Sequence, residues 1–302
     1  MRRLCLIKED KIMSGIATNR TNISLPTEVS AQIIQKTQEE SAVMRLATQI
    51  ALPGNGLTIP VITSDPTAAW VGETDEKPVS NPGLSTKVMR GYKLAIIEPF
   101  SNQFRRDYGA LYDALIARLP RILAAKFDNT VFGGTEAPGS DFDTFAEITQ
   151  QSLSEDAYGA LVAAYTDVAV HGGELNGFAL SPQAKGILLT ATDKNERPLF
   201  INSVSEGAID RILGEPTYIS RGAYVAGTPN VVGFAGDWSK AMYGVVEGVD
   251  ISFSSDATLT LANKSTINLF QRNMFAVRAE IEIGFRADLD VFNALTATQV
   301  SG

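Results

Sequence analysis

Apolar positions along this 302-residue chain follow two rhythms, one of about 3.6 residues and one of two. After Pro26, a residue suited to a first helical turn, Val29, Ile33 and Ile34 fall at helical spacing. A polar patch at residues 35–41 interrupts them before Val43, Met44 and Leu46. This predicts an amphipathic helix with a thin apolar stripe, docked on a larger body. Leu57 to Ile62 reads as a strand, and Pro60 makes it an edge or an irregular arm. A polar tip with Pro78, Pro82 and Gly83 follows, and the chain returns through a β-rich run from Thr86 to Ile97. From Asp107, Leu111, Leu115, Leu119, Ile122, Leu123 and Phe127 form one helical stripe. Pro120 lies inside it, removes a backbone donor and predicts a kink or a helix in two pieces. Gly133-Gly134 is its stop.

A second block opens near Leu153, with Ser154 as N-cap and Glu155 and Asp156 in the first turn. Leu161, Val162, Tyr165 and Val168 mark its inner face, and Gly172-Gly173 ends it. Phe178-Ala179-Leu180 reads as a short buried strand, and Ser181-Pro182 opens a further helix through Leu189. A charged loop at 193–198 leads to strands at 217–220 and 231–235. Residues 243–253 and 274–285 read as long strands. In the second, Phe275, Val277, Ala279, Ile281 and Ile283 share one face, while Arg278, Glu280 and Glu282 share the other. No internal repeat is present.

The segment Ala69 to Ser101 carries the most information. A hairpin of this length has too little apolar surface for a core and needs a neighbour to lie on. Trp70 then has two readings: an aromatic packed in its own hairpin, or an anchor in a neighbouring subunit. Tyr92 and Lys93 share that ambiguity. Glu73, Asp75, Glu76 and Lys77 are a solvated loop in a monomer, or inter-subunit ion pairs in an assembly.

Composition narrows the classes. Hydrophobic residues make up 44%, enough for a sizeable core, and 34 acidic against 26 basic residues give a formal charge of -8. That balance argues against a nucleic-acid reader but suits a container for DNA. The single cysteine, Cys5, excludes an intramolecular disulfide, and no apolar run approaches a membrane span. The N-terminus is too weakly apolar for a signal peptide, so a cytosolic product is expected. Met13-Ser14-Gly15 reads as a more usual start, with residues 1–12 an upstream extension and 14–24 an arm ordered on assembly.

No catalytic, cofactor-binding or metal-binding residues are assigned. His171, the one histidine, is read as a charge complement at a helix C-terminus. Asp141, Asp143 and Glu147 form an acidic cluster read as solvated surface in preference to a cation site. Nucleophile-elbow and phosphate-loop motifs are absent from the sequence.

Several motifs in order resemble the Hong Kong 97-type major capsid proteins of tailed phages. They are Trp70-Val71-Gly72-Glu73, the Pro78-Val79-Ser80 loop, the strand Gly91-Tyr92-Lys93-Leu94-Ala95, and Ser101 ahead of a long helix ending near Phe127-Asp128. Arg211 to Pro216 and Gly236-Asp237-Trp238-Ser239 resemble later family elements, as do the closing strands from Arg278 to Leu295. The resemblance implies an α+β fold: N-terminal arm and helix (1–47), extended β-hairpin loop (48–101), and peripheral domain with spine helix (102–150). An axial β/α domain (151–240), the peripheral domain's long strands (241–287) and a return to the axial domain (288–302) complete it. It implies a structural shell protein that self-assembles into pentamers and hexamers around double-stranded DNA. The extended loop, with Trp70, Glu73, Asp75, Glu76, Lys77, Tyr92 and Lys93, would make the subunit interface. Portal and decoration proteins are implied partners, and scaffolding is expected to be a separate protein or dispensed with. Assembly is expected in the host bacterial cytoplasm, without a membrane or a cofactor. An encapsulin-type shell around a cargo enzyme is the alternative, and a soluble enzyme is a third reading that lacks any acid–base constellation. Some relatives join subunits by a lysine–asparagine bond. Lys77, Lys87 and Lys93, Asn263, Asn268 and Asn273, and Glu280 or Glu282 are the residue types available, but no tight motif unites them.

Overall fold

The structure, a computed structural model, describes residues 27–64, 70–72, 76–77, 79, 83–103, 108–192, 197–200, 211–261 and 263–298. In chain order the first half comprises α1 (Thr27–Glu40), α2 (Ala42–Leu46), β1 (Thr48–Ala51), β2 (Leu57–Ser64), β3 (Gly83–Met89), β4 (Tyr92–Ser101), α3 (Tyr108–Val131), β5 (Thr149–Ser152) and α4 (Ala157–Val170). The second half comprises β6 (Gly177–Leu180), α5 (Pro182–Thr190), β7 (Arg211–Ile212), β8 (Glu215–Ile219), β9 (Asn230–Gly236), β10 (Ala241–Ser254), β11 (Thr258–Thr260), β12 (Thr266–Asn268), β13 (Met274–Ala287) and β14 (Phe292–Ala297). The arm before residue 27, Cys5, Pro26 and residues 193–196 lie outside the described residues.

Two sheets divide the strands. A four-stranded sheet runs β1-β10-β13-β4, and a six-stranded sheet runs β5-β14-β9-β6-β8-β7. The first is built on two long antiparallel strands, paired from Ala241↔Ala287 to Ser254↔Ala276 with bulges around Glu247. The alternation in β13 places Phe275, Val277, Ala279, Ile281 and Ile283 in the core as the pattern requires. Ile33 of α1 and Leu115, Leu119 and Leu123 of α3 close over that face. Burying each of these leucines contributes roughly 1.5–3 kcal/mol. In the second sheet β6 is buried along its whole length, and α4 and α5 pack on it. One apolar core joins the sheets, with Phe145 stacked on Phe292 and Phe132 stacked on Phe234.

The spine helix α3 runs unbroken for 24 residues through Pro120, so the expected division into two pieces does not occur. Pro120 and the adjacent Leu119 are both buried, so the helix passes through the proline on its packed side. Ile122 is 39% exposed, against expectation. The row of residues spaced by four winds around the helix, so the buried arc has moved toward Leu123 and Ala124 by that point. The helix ends as its glycines predict. Gly133 has φ 80°, its N–H bonds the Thr130 carbonyl, and the Gly134 N–H reaches back to Asn129, a Schellman closure.

Three further expectations are corrected. The N-cap of α4 is Asp156, whose side chain accepts from the Gly159 N–H. Ser154 instead accepts from the backbone and hydroxyl of Thr298, beyond the end of β14. The inner face of α4 is Ala157, Ala160, Leu161, Ala164 and Val168, while Val162 and Tyr165 are 38% and 47% exposed. The small residues let the helix sit close on the sheet, so the buried arc is narrow. Finally, β1 and β4 belong to the four-stranded sheet, which narrows the projecting loop to the β2–β3 hairpin and its tip.

Candidate functional site

The β2–β3 hairpin is a two-stranded sheet of its own, paired from Leu57↔Met89 to Ser64↔Gly83. It is tied to the body at its base. Met89 is fully buried, Arg286 donates from Nε to the Val88 carbonyl at 2.7 Å, and Lys87 Nζ donates to the Ala287 carbonyl at 2.9 Å. Beyond the base the two strands have chiefly one another, which is why the arm cannot stabilise itself.

The expected interface residues separate into two groups. Trp70 is fully exposed at 104%, Val79 is 89% exposed, and Glu76 and Lys77 are exposed. Trp70 is therefore not packed in its own hairpin. Glu73 and Asp75 lie outside the described residues. Tyr92 and Lys93 are not on the projecting loop: both stand on β4, in register with Ile283 and Glu282 of β13. The Tyr92 ring meets Phe142 edge-on at 6.2 Å and its hydroxyl accepts from the Asp141 N–H, so its first role is within the chain. Lys93 remains exposed.

The acidic cluster is not the solvated surface expected from sequence. The Arg286 guanidinium spans Asp143 at 2.7 Å and Asp141 at 3.1 Å. Lys87 and Arg90, from the hairpin base, approach Asp143 and Asp141 at 3.6 Å and 3.3 Å. Asp143 also accepts from the Ala287 N–H. Two carboxylates on the loop after α3 thus lock the hairpin base to β13, while Glu147 stays exposed. Among the described residues no group of three or more His, Cys, Asp or Glu is placed to hold a metal, and no helix is long and apolar enough to cross a membrane. His171 is the C-cap residue of α4, with Nδ1 2.9 Å from the Asp167 carbonyl.

A second device went unread in the sequence. Asp128, fully buried on α3, accepts from Ser41 Oγ at 2.5 Å, the Ala42 N–H at 2.9 Å, the Val43 N–H at 3.4 Å and Ser220 Oγ at 2.7 Å. Ser41 caps α2 and Ser220 caps the 3-10 turn Arg221–Ala223, so one carboxylate joins the N-terminal helices, the spine helix and the six-stranded sheet. Burial raises its pKa above the ordinary 3.8, against the lowering effect of the hydroxyl and backbone donors. A lone aspartate in a helical stripe gives no local sign of this role.

The motif 236–239 is likewise structural. Asp237 accepts from Glu174 N–H, Asn176 Nδ2 and both donors of Ser239, while buried Trp238 donates from Nε1 to the Gly177 carbonyl at 3.1 Å. Gly236 has no room for a side chain, since a Cβ there would lie 2.3 Å from the Phe292 ring.

The fold as a whole is similar to those of known proteins. Solved structures from Gordonia phage Cozz and Mycobacterium phage Adephagia superpose with a TM-score of 0.68 at 20% identity; they cover 86% and 87% of this chain, and 87% and 91% of theirs. In sequence, a protein described as a probable major capsid protein, gp17, of Mycobacterium phage D29 is 31% identical over 291 residues, covering 90% of this chain and 89% of its own. The phage capsid family model matches residues 22–295. With the fold, the ordered motifs and a match over nearly the whole sequence in agreement, the chain belongs to the phage capsid family.

Proposed function

We infer that this chain is the major capsid protein of a tailed phage, a structural subunit that assembles with copies of itself into the virion shell. The observation that carries this reading is the β2–β3 hairpin. It is locked at its base by Arg286, Lys87 and Asp143, pairs along its length chiefly with itself, and leads to a fully exposed Trp70. A lone subunit gains nothing from such an arm, whereas overlap with a neighbour buries it. Family membership supports the same conclusion, and the relatives favour a phage shell over an encapsulin.

In this reading the six-stranded sheet with α4 and α5 crowds around the symmetry axes of pentamers and hexamers, as an axial domain. The four-stranded sheet and α3 form the peripheral domain. Loop residues Trp70, Glu73, Asp75, Glu76 and Lys77 meet a neighbour, and Lys93 contributes from β4. The shell encloses double-stranded DNA without reading its sequence, and the acidic balance of 34 to 26 limits adhesion to it. Portal and decoration proteins are separate partners, and scaffolding is either a separate protein or dispensed with. Assembly takes place in the host bacterial cytoplasm, and the role is structural instead of enzymatic.

The purified protein tests this by sedimentation velocity and electron microscopy. Rings, sheets or closed shells are expected. A strictly monomeric species at high concentration, with no particles, overturns it.

A further inference from the structure

A hollow of about 350 Å³ opens between β4, the C-terminal part of α3 and the loop after it. Buried Phe127, Phe142 and Ile283 and half-buried Tyr92 and Leu94 line it, a markedly apolar set for an open surface. Exposed Lys93 and Lys126 also line it, together with one acid, Glu136. A hollow of this size sits in the range that takes a compact apolar group. The same chain displays such a group. Trp70 leaves its whole indole in water, and burying a tryptophan removes about 150–250 Å² from solvent.

The charges beside the two features are opposite. Trp70 is followed by Glu73, Asp75 and Glu76 against the single Lys77. The hollow offers two lysines against one glutamate. Trp70 is fully exposed, so it does not fill the hollow of its own chain. Tyr92 lies three residues beyond the base of β3, while Trp70 falls in the sequence between Ser64 and Gly83, the far ends of the two paired strands. The seven residues of β3 span roughly 23 Å at about 3.3 Å each.

We propose that this hollow receives Trp70 of a second copy of the chain, with the acidic residues after the tryptophan set against Lys93 and Lys126. The proposal rests on the shell-subunit reading and names the surface that the loop of one subunit seeks on the next. Tryptophan anchors seated in apolar pockets and ringed by polar groups are the usual centres of protein interfaces. The lysines steer the encounter, and the indole holds it.

Two measurements test it, both in a Cys5→Ser background. First, Val71→Cys and Glu136→Cys are combined, leaving Trp70 in place, and assembled particles are mildly oxidised. A ladder of disulfide-linked multimers on a non-reducing gel, exceeding that of either single variant, is expected. Particles that form without such a ladder overturn the docking while leaving the shell reading intact. If the Cys5→Ser parent forms no particles, both fall together. Second, Lys93→Glu with Lys126→Glu should slow assembly at least ten-fold by light scattering, and adding Glu73→Lys with Glu76→Lys should restore it. Undiminished assembly of the reversed lysines, or no restoration by the loop lysines in a folded protein, overturns the charge pairing and with it the proposal.

Discussion

Asp128 and Ser220, 92 residues apart in sequence, meet through a 2.7 Å hydrogen bond from a serine hydroxyl to a carboxylate removed from water. The serine caps the 3-10 turn after β8 and the aspartate stands on the spine helix, so the bond ties the six-stranded sheet to the long helix over the other sheet. Ser41 completes the clamp from the N-terminal side. Movement of either body relative to the other must break this cluster.

Asp128→Ala therefore leaves the Ser41 and Ser220 hydroxyls and the Ala42 N–H facing a void. Losing the acceptor for several buried donors costs about 2–5 kcal/mol, less the relief of removing a buried charge. Urea unfolding of the purified subunit should show a midpoint lowered accordingly. An unfolding free energy within about 0.5 kcal/mol of the parent would mean the clamp adds nothing net.

The pH dependence has a fixed sign. Burial raises the Asp128 pKa from 3.8, so the folded state holds its proton more tightly than the unfolded chain does. Its contribution to stability is fully present below the unfolded value and is lost as pH rises through the raised folded value. Asp128→Asn cannot titrate. The stability difference between parent and Asp128→Asn should shift in the parent's favour on acidification from pH 7. Other carboxylates titrate in both proteins and cancel in this comparison. A difference that stays constant between neutral and mildly acidic pH would contradict the raised pKa.

Arg286 is the common member of the network at the hairpin base, with only 11% of its side chain exposed. Arg286→Met removes the partner of two carboxylates and the donor to Val88, which should destabilise by about 3 kcal/mol. Arg286→Lys should recover only part, because an ammonium cannot span Asp141 and Asp143 as the fork does. Thermal unfolding of the three proteins gives the ranking, and equal midpoints would contradict it.

The loop tip behaves oppositely. Replacing residues 74–83 with a short Gly-Ser turn touches no buried side chain among the described residues there, so the subunit should fold with an unchanged midpoint. Shell formation should fail or stop at capsomers under the electron microscope. A shortened chain that assembles like the parent would remove the loop from the mechanism.

Elements with a strong local period were legible in the sequence. The alternation of β13, the stripe of α3 and the glycine stops after α3 and α4 all carry their cause within a few residues. Contacts made at a distance were not. Arg286 and Asp141 are 145 residues apart, so the acids looked solvated until β13 placed a guanidinium beside them. Tyr92 and Lys93 follow the hairpin without a break in β character, and only their pairing with β13 assigns them to the body. Asp128 resembled any polar interruption of a stripe, because its partners come from residues 41–43 and 220.

Covalent locking between subunits is the remaining question, and the geometry argues against it. A lysine–asparagine bond needs a free loop lysine, an asparagine whose amide is accessible, and a carboxylate to take up protons. Lys87 is held by the Ala287 carbonyl at 2.9 Å and lies 3.6 Å from Asp143. The candidate asparagines are used locally. Asn263 accepts from Ser265, Asn268 bridges Thr258 and the Gln271 N–H, and Asn273 accepts from Asn102 at 2.6 Å. Glu280 lies 3.3 Å from Arg278 in an ion pair, and Glu282 stands beside Lys93 in the β4–β13 register. Lys77 and Lys93 are exposed, while both candidate carboxylates already stand beside cations of their own chain. Mature particles boiled in detergent should therefore run as a single band at the mass of one subunit. A ladder of pentamer- and hexamer-sized species would show that a neighbouring subunit completes a site which one subunit lacks.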